Sequence, residues 1–208
     1  MRTLVTVWCM VALAGAGVGR TAGGPVAEAV SWLEGRQAES GGFGESGAPP
    51  NASATAWVAF ALAAGGGSTA TRERALAFLR AHEGEARSET DVALHALGRM
   101  ALGDRPEPLL ARLRDHRPGK LVNATIWATL ALAGAGERPP ARFVDAILTA
   151  QRPDGGWSWL RGGASDSNDT AAAIQALRAA GTGRAAIRRG LAALRRFARA
   201  DGGFGLTR

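Results

Sequence analysis

One short pattern occurs three times in this chain, and its spacing is the strongest constraint on the fold. A leucine or isoleucine is followed after four residues by glutamine, after four more by glycine, and after two more by an aromatic residue. The copies are Leu33, Gln37, Gly41, Phe43; then Ile147, Gln151, Gly155, Trp157; then Leu194, Ala198, Gly202, Phe204, where alanine replaces glutamine. A spacing kept three times indicates a repeated structural unit that buries a core shared with its neighbours.

A second pattern predicts four helices, each centred on a threonine with an alanine six residues later and a leucine seven residues later. Two residues before each threonine stands a residue type that caps helix N-termini. The threonines are Thr55, Thr90, Thr125 and Thr170, and the expected caps are Ser53, Ser88, Asn123 and Asn168. Ser88 and Asp91 also resemble a capping box.

Five further helices are predicted between these four, because apolar residues recur there at helical spacing. Their expected bounds are 26–38, 71–82, 107–116, 141–151 and 184–199. Prolines fall between the predicted helices, and no segment alternates as a strand does. The predicted fold is therefore all-α, with four helical hairpins and a fifth outer helix.

These patterns resemble those of the terpenoid cyclase and protein prenyltransferase superfamily, which includes squalene–hopene cyclases and folds into an α/α toroid. The first pattern is similar to the QW motif of that family. The resemblance implies that Gln37 and Gln151 end outer helices, stack on Phe43 and Trp157, and hydrogen-bond toward the next inner helix. Because a closed toroid needs about six hairpins, four hairpins and one outer helix imply an incomplete toroid, an arc with an open edge.

Residues 166–171 read DSNDTA and resemble the D-x-D-D-T-A motif of squalene–hopene cyclases. In that family the middle aspartate is the general acid that protonates an alkene. Asn168 holds this position here, and an amide cannot act as that acid. We expect Asn168 to cap a helix, with catalysis by Asp166 or Asp169 as the alternative. We expect neither a cofactor nor a metal, since zinc-binding relatives use a cysteine that the mature chain lacks.

Trp57 and Trp127 each follow a repeat threonine by two residues, near the end of the toroid that opens on a central cavity. For Trp57 and Trp127 we expect core packing, and an apolar pocket is the alternative. The candidate contacts for an apolar or isoprenoid-like small molecule are Trp57, Trp127, Trp159, Asp166, Asn168 and Asp169. The histidines, His82, His95 and His116, are expected to be structural.

The N-terminus has the composition of a secretory signal peptide, with one arginine before an apolar run and then small residues. We predict a signal peptide over residues 1–16, cleavage between about 16 and 23, and a repeat domain over 24–208. The expected location is secreted or extracytoplasmic, or anchored if the segment stays attached. The only cysteine, Cys9, lies in the apolar run, so the mature chain would carry no disulfide.

The chain has a net charge of +7, and residues 178–208 contain eight arginines and one acid. Such a stretch is either a solvated helix face or a site for an anionic membrane or polyanion. No nucleic-acid-binding motif is present, so no nucleic acid partner is expected.

Three functions remain open from the sequence. The leading one is a secreted, non-catalytic ligand-binding or protein-interaction scaffold, whose open repeat edge is closed by a protein partner or a homo-oligomer. The second is a degenerate or truncated class II terpene cyclase acting on an isoprenoid. The third is a basic binder of membrane surfaces or polyanions.

Overall fold

A computed structural model describes residues 24–207, and these residues form α-helices joined by loops. The helices are α1 Pro25–Glu34, α2 Ala52–Gly65, α3 Thr69–Ala81, α4 Glu89–Ala101, α5 Glu107–Arg114, α6 Val122–Gly134, α7 Ala141–Ala150, α8 Ser167–Ala179 and α9 Arg184–Leu194. Within 24–207 there is no β-strand, only isolated bridges, and the all-α prediction is confirmed. The predicted signal peptide and Cys9 lie outside the described residues.

The described helices pack in two compact units that divide between Leu110 and Ala111, inside α5. In the first unit, α2 packs against α1, α3 and α4. In the second unit, α8 packs against α6, α7 and α9. In the first unit the threonine-centred helices α2 and α4 pack against each other, and in the second unit α6 packs against α8. None of the helices in 24–207 combines the length and apolar character needed to cross a membrane.

The leucine of the second sequence pattern explains why these helices pack. It is buried in all four copies: Leu62, Leu97, Leu132 and Leu177 are each at most 4% exposed. The alanine beside it is buried in α4, α6 and α8, but Ala61 of α2 is exposed. A fixed apolar position on each helix therefore supplies the shared core that the repeat predicts.

Three of the four expected helix caps are wrong. Ser88 caps α4 with the predicted capping box, in which the side chains of Ser88 and Asp91 each accept a hydrogen bond from the other's backbone. In contrast, α2 is capped by Asn51 and α8 by Asp166, each two residues before the expected cap. Both side chains accept a hydrogen bond from the backbone N–H three residues later, which is the hydrogen bond of an N-cap residue.

The third error, at Asn123, has a tertiary cause. Helix α6 has Leu121 in the cap position, which has no side-chain acceptor. Instead, the carbonyl of Trp159 accepts hydrogen bonds from the N–H groups of Val122 at 2.8 Å and Asn123 at 3.3 Å. A distant loop thus satisfies the donors of the first turn, and the Asn123 side chain does not cap the helix.

Helices α1 and α9 are shorter than predicted, ending at Glu34 rather than residue 38 and at Leu194 rather than residue 199. The residues that follow each helix make tighter turn hydrogen bonds, for example from Gln37 N–H to the carbonyl of Glu34 and from Phe197 N–H to that of Leu194. These turns lead the chain into the glycine of the first sequence pattern.

The two glutamines of that pattern make the same pair of hydrogen bonds. Gln37 Nε2 donates to the carbonyl of Gly41 at 2.8 Å and to that of Thr71 at 2.9 Å. Gln151 Nε2 donates to the carbonyls of Gly155 and Ala186, both at 2.8 Å. Each amide closes its own loop and also binds the first turn of the next intervening helix, α3 or α9. The expectation that the glutamine reaches the next inner helix is therefore wrong.

The contact with the threonine-centred helix is made instead by the backbone of the aromatic residue. The N–H of Phe43 donates to Thr55 Oγ1 at 2.9 Å, and the N–H of Trp157 donates to Thr170 Oγ1 at 3.0 Å. Phe43 and Trp157 are both buried. The threonine of the second pattern thus accepts a hydrogen bond from the aromatic residue of the first pattern.

The glycine of the pattern stands where the next helix comes closest. Gly41 and Gly155 have φ of +87° and +88°. A Cβ atom at Gly41 would lie 2.6 Å from the carbonyl oxygen of Arg74, and one at Gly155 would lie 2.7 Å from that of Arg189. Glycine is required at both positions for its backbone conformation and for the approach of α3 or α9.

The third copy forms the same turn, but no helix of the described residues approaches its glycine. Gly202 has φ of +85°, and the N–H of Arg199 donates to the carbonyl of Gly203, as that of Ala38 does to Gly42. Among residues 24–207, however, no atom outside the neighbouring residues lies within 4 Å of a Cβ built at Gly202. The turn therefore forms from local interactions alone. The packing of a helix against the turn contributes separately to stability.

A pair of alanine substitutions separates these two contributions. Both Gly155→Ala and Gly202→Ala force a left-handed backbone on alanine, which costs about 1–2 kcal/mol. Only Gly155→Ala also overlaps a neighbouring carbonyl, so its loss of unfolding free energy should be larger by about 1–3 kcal/mol. Chemical denaturation of the two variants measures the difference, and equal losses would contradict the docking role of Gly155.

Candidate functional site

A buried carboxyl group lies at the N-terminus of α8, inside the segment that resembles the cyclase motif. Asp169 is 5% exposed, and its Oδ1 accepts a hydrogen bond from Asn123 Nδ2 at 2.6 Å. Its backbone N–H donates to Asp166 Oδ1 at 2.7 Å. The structure therefore brings Asn123, Asp166 and Asp169 together at one point, where α6 and α8 both begin.

Burial is the main reason that the pKa of Asp169 is raised, to about 6. The hydrogen bond from Asn123 opposes the rise by stabilising the carboxylate, while the neighbouring Asp166 adds to it. Asp169 thus holds its proton up to a pH at which an exposed aspartate has lost it.

Asn168 plays no part in this arrangement. It follows the cap residue Asp166 by two positions and is exposed, so it neither caps α8 nor lies with the buried carboxyl. The expected cap role of Asn168 is wrong because Asp166 has the geometry to accept from Asp169 N–H. The position that carries the acid in the resembling family is occupied by a solvent-facing amide.

The three candidate tryptophans do not form one group. Trp57 belongs to the first unit and is 50% exposed, with its ring edge against Phe60 at a centroid distance of 5.6 Å. Trp159 belongs to the second unit and is 61% exposed, while Trp127 is half-buried there. The expected core packing of Trp57 is wrong. Two residues correspond to roughly 200° around a helix, so burial of Thr55 turns Trp57 outward.

Asn123 is the site residue that sequence reasoning assigned to a different role. Its side chain binds Asp169 because the carbonyl of Trp159 already accepts from the N-terminus of α6. The sequence signal was the unexplained length of the loop between α7 and α8, which carries Trp159. Its interval exceeds the other repeat intervals by ten residues.

Three large apolar residues are exposed in the C-terminal part of the described chain. Leu191 of α9 is 44% exposed, and Phe204 and Leu206 of the third loop are 60% and 57% exposed. We name these three residues the C-terminal edge. In the first two copies the corresponding aromatic residues, Phe43 and Trp157, are buried, so the exposure of Phe204 follows from the unoccupied third loop.

No protein-family model matches this chain, and no curated protein matches it either.

The Asp169 carboxyl predicts a specific dependence of stability on pH. Since its pKa is higher in the folded than in the unfolded chain, the unfolded chain loses this proton first as the pH rises. Asp169 therefore lowers the free energy of unfolding between about pH 4 and pH 6, by on the order of 2–3 kcal/mol, and the loss persists above that range.

Asp169→Asn removes this titration and keeps an acceptor for Asn123. Relative to the unsubstituted protein, the variant should become more stable as the pH rises from about 4 to 7. Asp145→Asn, at an exposed position of α7, is the matched control and should leave the pH dependence unchanged. Urea denaturation across this pH range measures the free energy of unfolding of both variants. If it changes with pH in the same way in the Asp169→Asn variant and the unsubstituted protein, the raised pKa of Asp169 is contradicted.

Proposed function

We propose that this chain is a secreted, non-catalytic α/α-repeat protein that works through protein contact at its C-terminal edge. In this proposal its hairpins belong to the toroid type of the terpenoid cyclase and prenyltransferase superfamily and form an incomplete toroid. The observation that carries the proposal is the third loop, which makes the same turn as its two counterparts, although no described helix approaches Gly202 as α3 and α9 approach Gly41 and Gly155.

The two occupied loops indicate what such a loop binds. In both, the partner is the first turns of a helix, and an arginine on that helix reaches back to the loop or its glutamine. Arg74 Nη2 donates to the carbonyl of Ala38 at 2.7 Å, and Arg189 Nη2 donates to Gln151 Oε1. A helix is therefore the element that fits the third loop, although Ala198 offers no side-chain amide to it.

The occupant we propose is the N-terminal end of a second copy of this chain. Helix α1 is exposed over most of its length, and its Val26 and Trp32 are 57% and 59% exposed. Residues 24–51 carry four glutamates and one arginine, whereas residues 184–207 carry six arginines and one aspartate. Opposite charges on two apolar ends favour contact between them in a head-to-tail arrangement.

The chemistry of the cyclase-like segment supports a protein without catalysis. Asn168 has no titratable proton, and the raised pKa of Asp169 makes its carboxyl a weaker acid than an ordinary aspartate. Protonation of an alkene needs a strong acid, so a pKa of about 6 is poorly suited to it. The carboxyl is better explained as a partner that holds the starts of α6 and α8 together.

Complementary variants test the head-to-tail contact. Substitution of Phe204 and Leu206 by serine removes two of the three apolar side chains of the C-terminal edge, and substitution of Val26 and Trp32 by serine removes the exposed large apolar side chains of α1. Each variant alone should be a monomer, because one of its two ends is lost, and an equimolar mixture should form a 1:1 dimer. Sedimentation velocity measures all three states, and dimer formation should weaken as the ionic strength rises.

Leu160→Ser is the control, because Leu160 is 53% exposed but lies outside the C-terminal edge; it should self-associate like the unsubstituted protein. A monomeric unsubstituted protein, or a mixture of the two variants that stays monomeric, would overturn the proposed contact. Binding to anionic vesicles in place of self-association would assign the arginine-rich end to a membrane surface instead.

The alternative is a class II terpene cyclase, which the buried carboxyl at Asp169 favours. Incubation of the secreted protein with squalene and with geranylgeranyl diphosphate, followed by mass spectrometry of the extracted lipids, separates the two functions. We expect only unreacted substrate. A cyclic product that is made by the unsubstituted protein and lost in Asp169→Ala would establish catalysis.

A further inference from the structure

Two loops of the second unit meet at the start of α6 in a short paired segment. Leu121 and Leu160 face each other there in an antiparallel bridge. The N–H of Arg161 donates to the carbonyl of Lys120 at 2.8 Å, and the carbonyl of Trp159 accepts from the first turn of α6 on the other side of the bridge. Hydrogen bonds on both sides of a facing pair are the antiparallel pattern that brings the two side chains closest together. We name residues 120–121 and 159–161 the loop tip.

Local hydrogen bonds hold the loop tip in one conformation. The carbonyl of Leu160 accepts from the N–H of Gly163 at 2.9 Å and from Ser158 Oγ at 2.6 Å. Ser158 is buried, and Gly162 has the left-handed backbone, with φ of +88°, that closes the turn. A surface that is already ordered loses little conformational entropy when it binds a partner.

The loop tip presents two consecutive large apolar side chains to solvent. Trp159 is 61% exposed and Leu160 is 53% exposed, and no other two consecutive large apolar residues in 24–207 are both exposed. Leu121, which faces Leu160, is half-buried. Isolated exposed apolar residues are common on soluble proteins, but an adjacent pair on a fixed turn favours contact with an apolar partner.

The loop tip also carries positive charge. Lys120 and Arg161 are exposed, and the hydrogen bond between their backbones keeps the two residues together. Arg117 is exposed in the same loop as Lys120, and residues 116–122 and 155–165 contain no acid. Among residues 24–207 neither Lys120 nor Arg161 forms an ion pair, and Arg161 Nη1 donates to Thr149 Oγ1 at 3.5 Å. Neighbouring cations repel each other, so an anionic partner would be attracted to them.

The combination of apolar and cationic groups distinguishes two kinds of anionic partner. A polyanion such as heparin would contact the cations but would leave the apolar pair in water. At the surface of a bilayer, by contrast, tryptophan rings lie at the level of the headgroups, leucine reaches the acyl boundary, and lysine and arginine lie near the phosphates. The loop tip supplies all three kinds of contact.

We propose that the loop tip binds the surface of a bilayer that contains anionic lipids. Trp159 and Leu160 enter the headgroup region, and Lys120 and Arg161 contact the lipid phosphates. The loop tip and the C-terminal edge share no residue, so the membrane contact and the proposed self-association stand or fail separately.

Co-sedimentation with sucrose-loaded vesicles measures this contact. The protein should bind vesicles of phosphatidylglycerol mixed with phosphatidylcholine about tenfold more tightly than vesicles of phosphatidylcholine alone. Binding to the mixed vesicles should weaken as the ionic strength rises, because salt screens the attraction. Mixed vesicles with brominated acyl chains should quench part of the tryptophan fluorescence, and this quenching should be lost in Trp159→Phe.

Variants of the apolar pair test insertion. Trp159→Ala keeps the backbone carbonyl that caps α6 and should weaken vesicle binding about tenfold. Trp57→Ala is the matched control, because Trp57 is 50% exposed but belongs to the first unit, and it should bind as the unsubstituted protein does. Leu160→Ser should also weaken vesicle binding while self-association persists, which separates the two proposals in one variant.

A pair of double variants tests the cations. Lys120→Gln with Arg161→Gln should weaken binding to the mixed vesicles about tenfold or more. Arg138→Gln with Arg178→Gln removes the same charge at exposed positions beyond the end of α6 and in the last turn of α8, and it should have little effect.

Four results would overturn the proposal. They are an absence of vesicle binding, equal binding of both kinds of vesicle, unchanged binding by Trp159→Ala, and an equal loss of binding in the two double variants. Tight binding of heparin by a protein that does not bind vesicles would assign the cations to a polyanion instead.

Discussion

The side-chain amide of a loop glutamine is the interaction on which the rest of each unit depends. A primary amide has two N–H donors, so Gln37 and Gln151 each bind two backbone carbonyls at once, one in their own loop and one on the next intervening helix. The tight loop then delivers an aromatic residue whose N–H reaches the threonine of the following helix, Thr55 or Thr170. Three helices are thereby held by one short segment.

The same loop construction explains why an aromatic residue is exposed at the C-terminal end of the described chain. Its loop forms because glycine and local turn bonds suffice for the turn. Its aromatic residue stays exposed because burial depends on what packs around the loop, and no described helix occupies the position that α3 and α9 take at the other two copies. Exposed apolar groups in a repeat protein favour contact with another surface, which is the basis of the proposed head-to-tail association.

The start of α6 links two regions that are remote in the sequence. The carbonyl of Trp159 takes over the capping of this helix, so Asn123 can donate to the buried carboxyl of Asp169. This hydrogen bond opposes the rise in the pKa of Asp169 that burial causes. The resemblance to a catalytic motif identified this segment, but the packing turned its central amide to solvent and placed a different residue in the interior.

The sequence by itself determined the helices, their order and the repeat, because periodic apolar positions and recurring glycines act through local physics. The helix around Thr90, with its cap at Ser88, and the helix from Ala141 follow the predictions within one residue. Only the tertiary structure decided which donors and acceptors meet. The contact between Asn123 and Asp169, the exposure of Trp57 and the unpaired Nδ1 of His95 all depend on packing between segments that are distant in the chain. Hydrogen-bond partners of polar residues are set by packing, and a pattern of residue types does not contain that information.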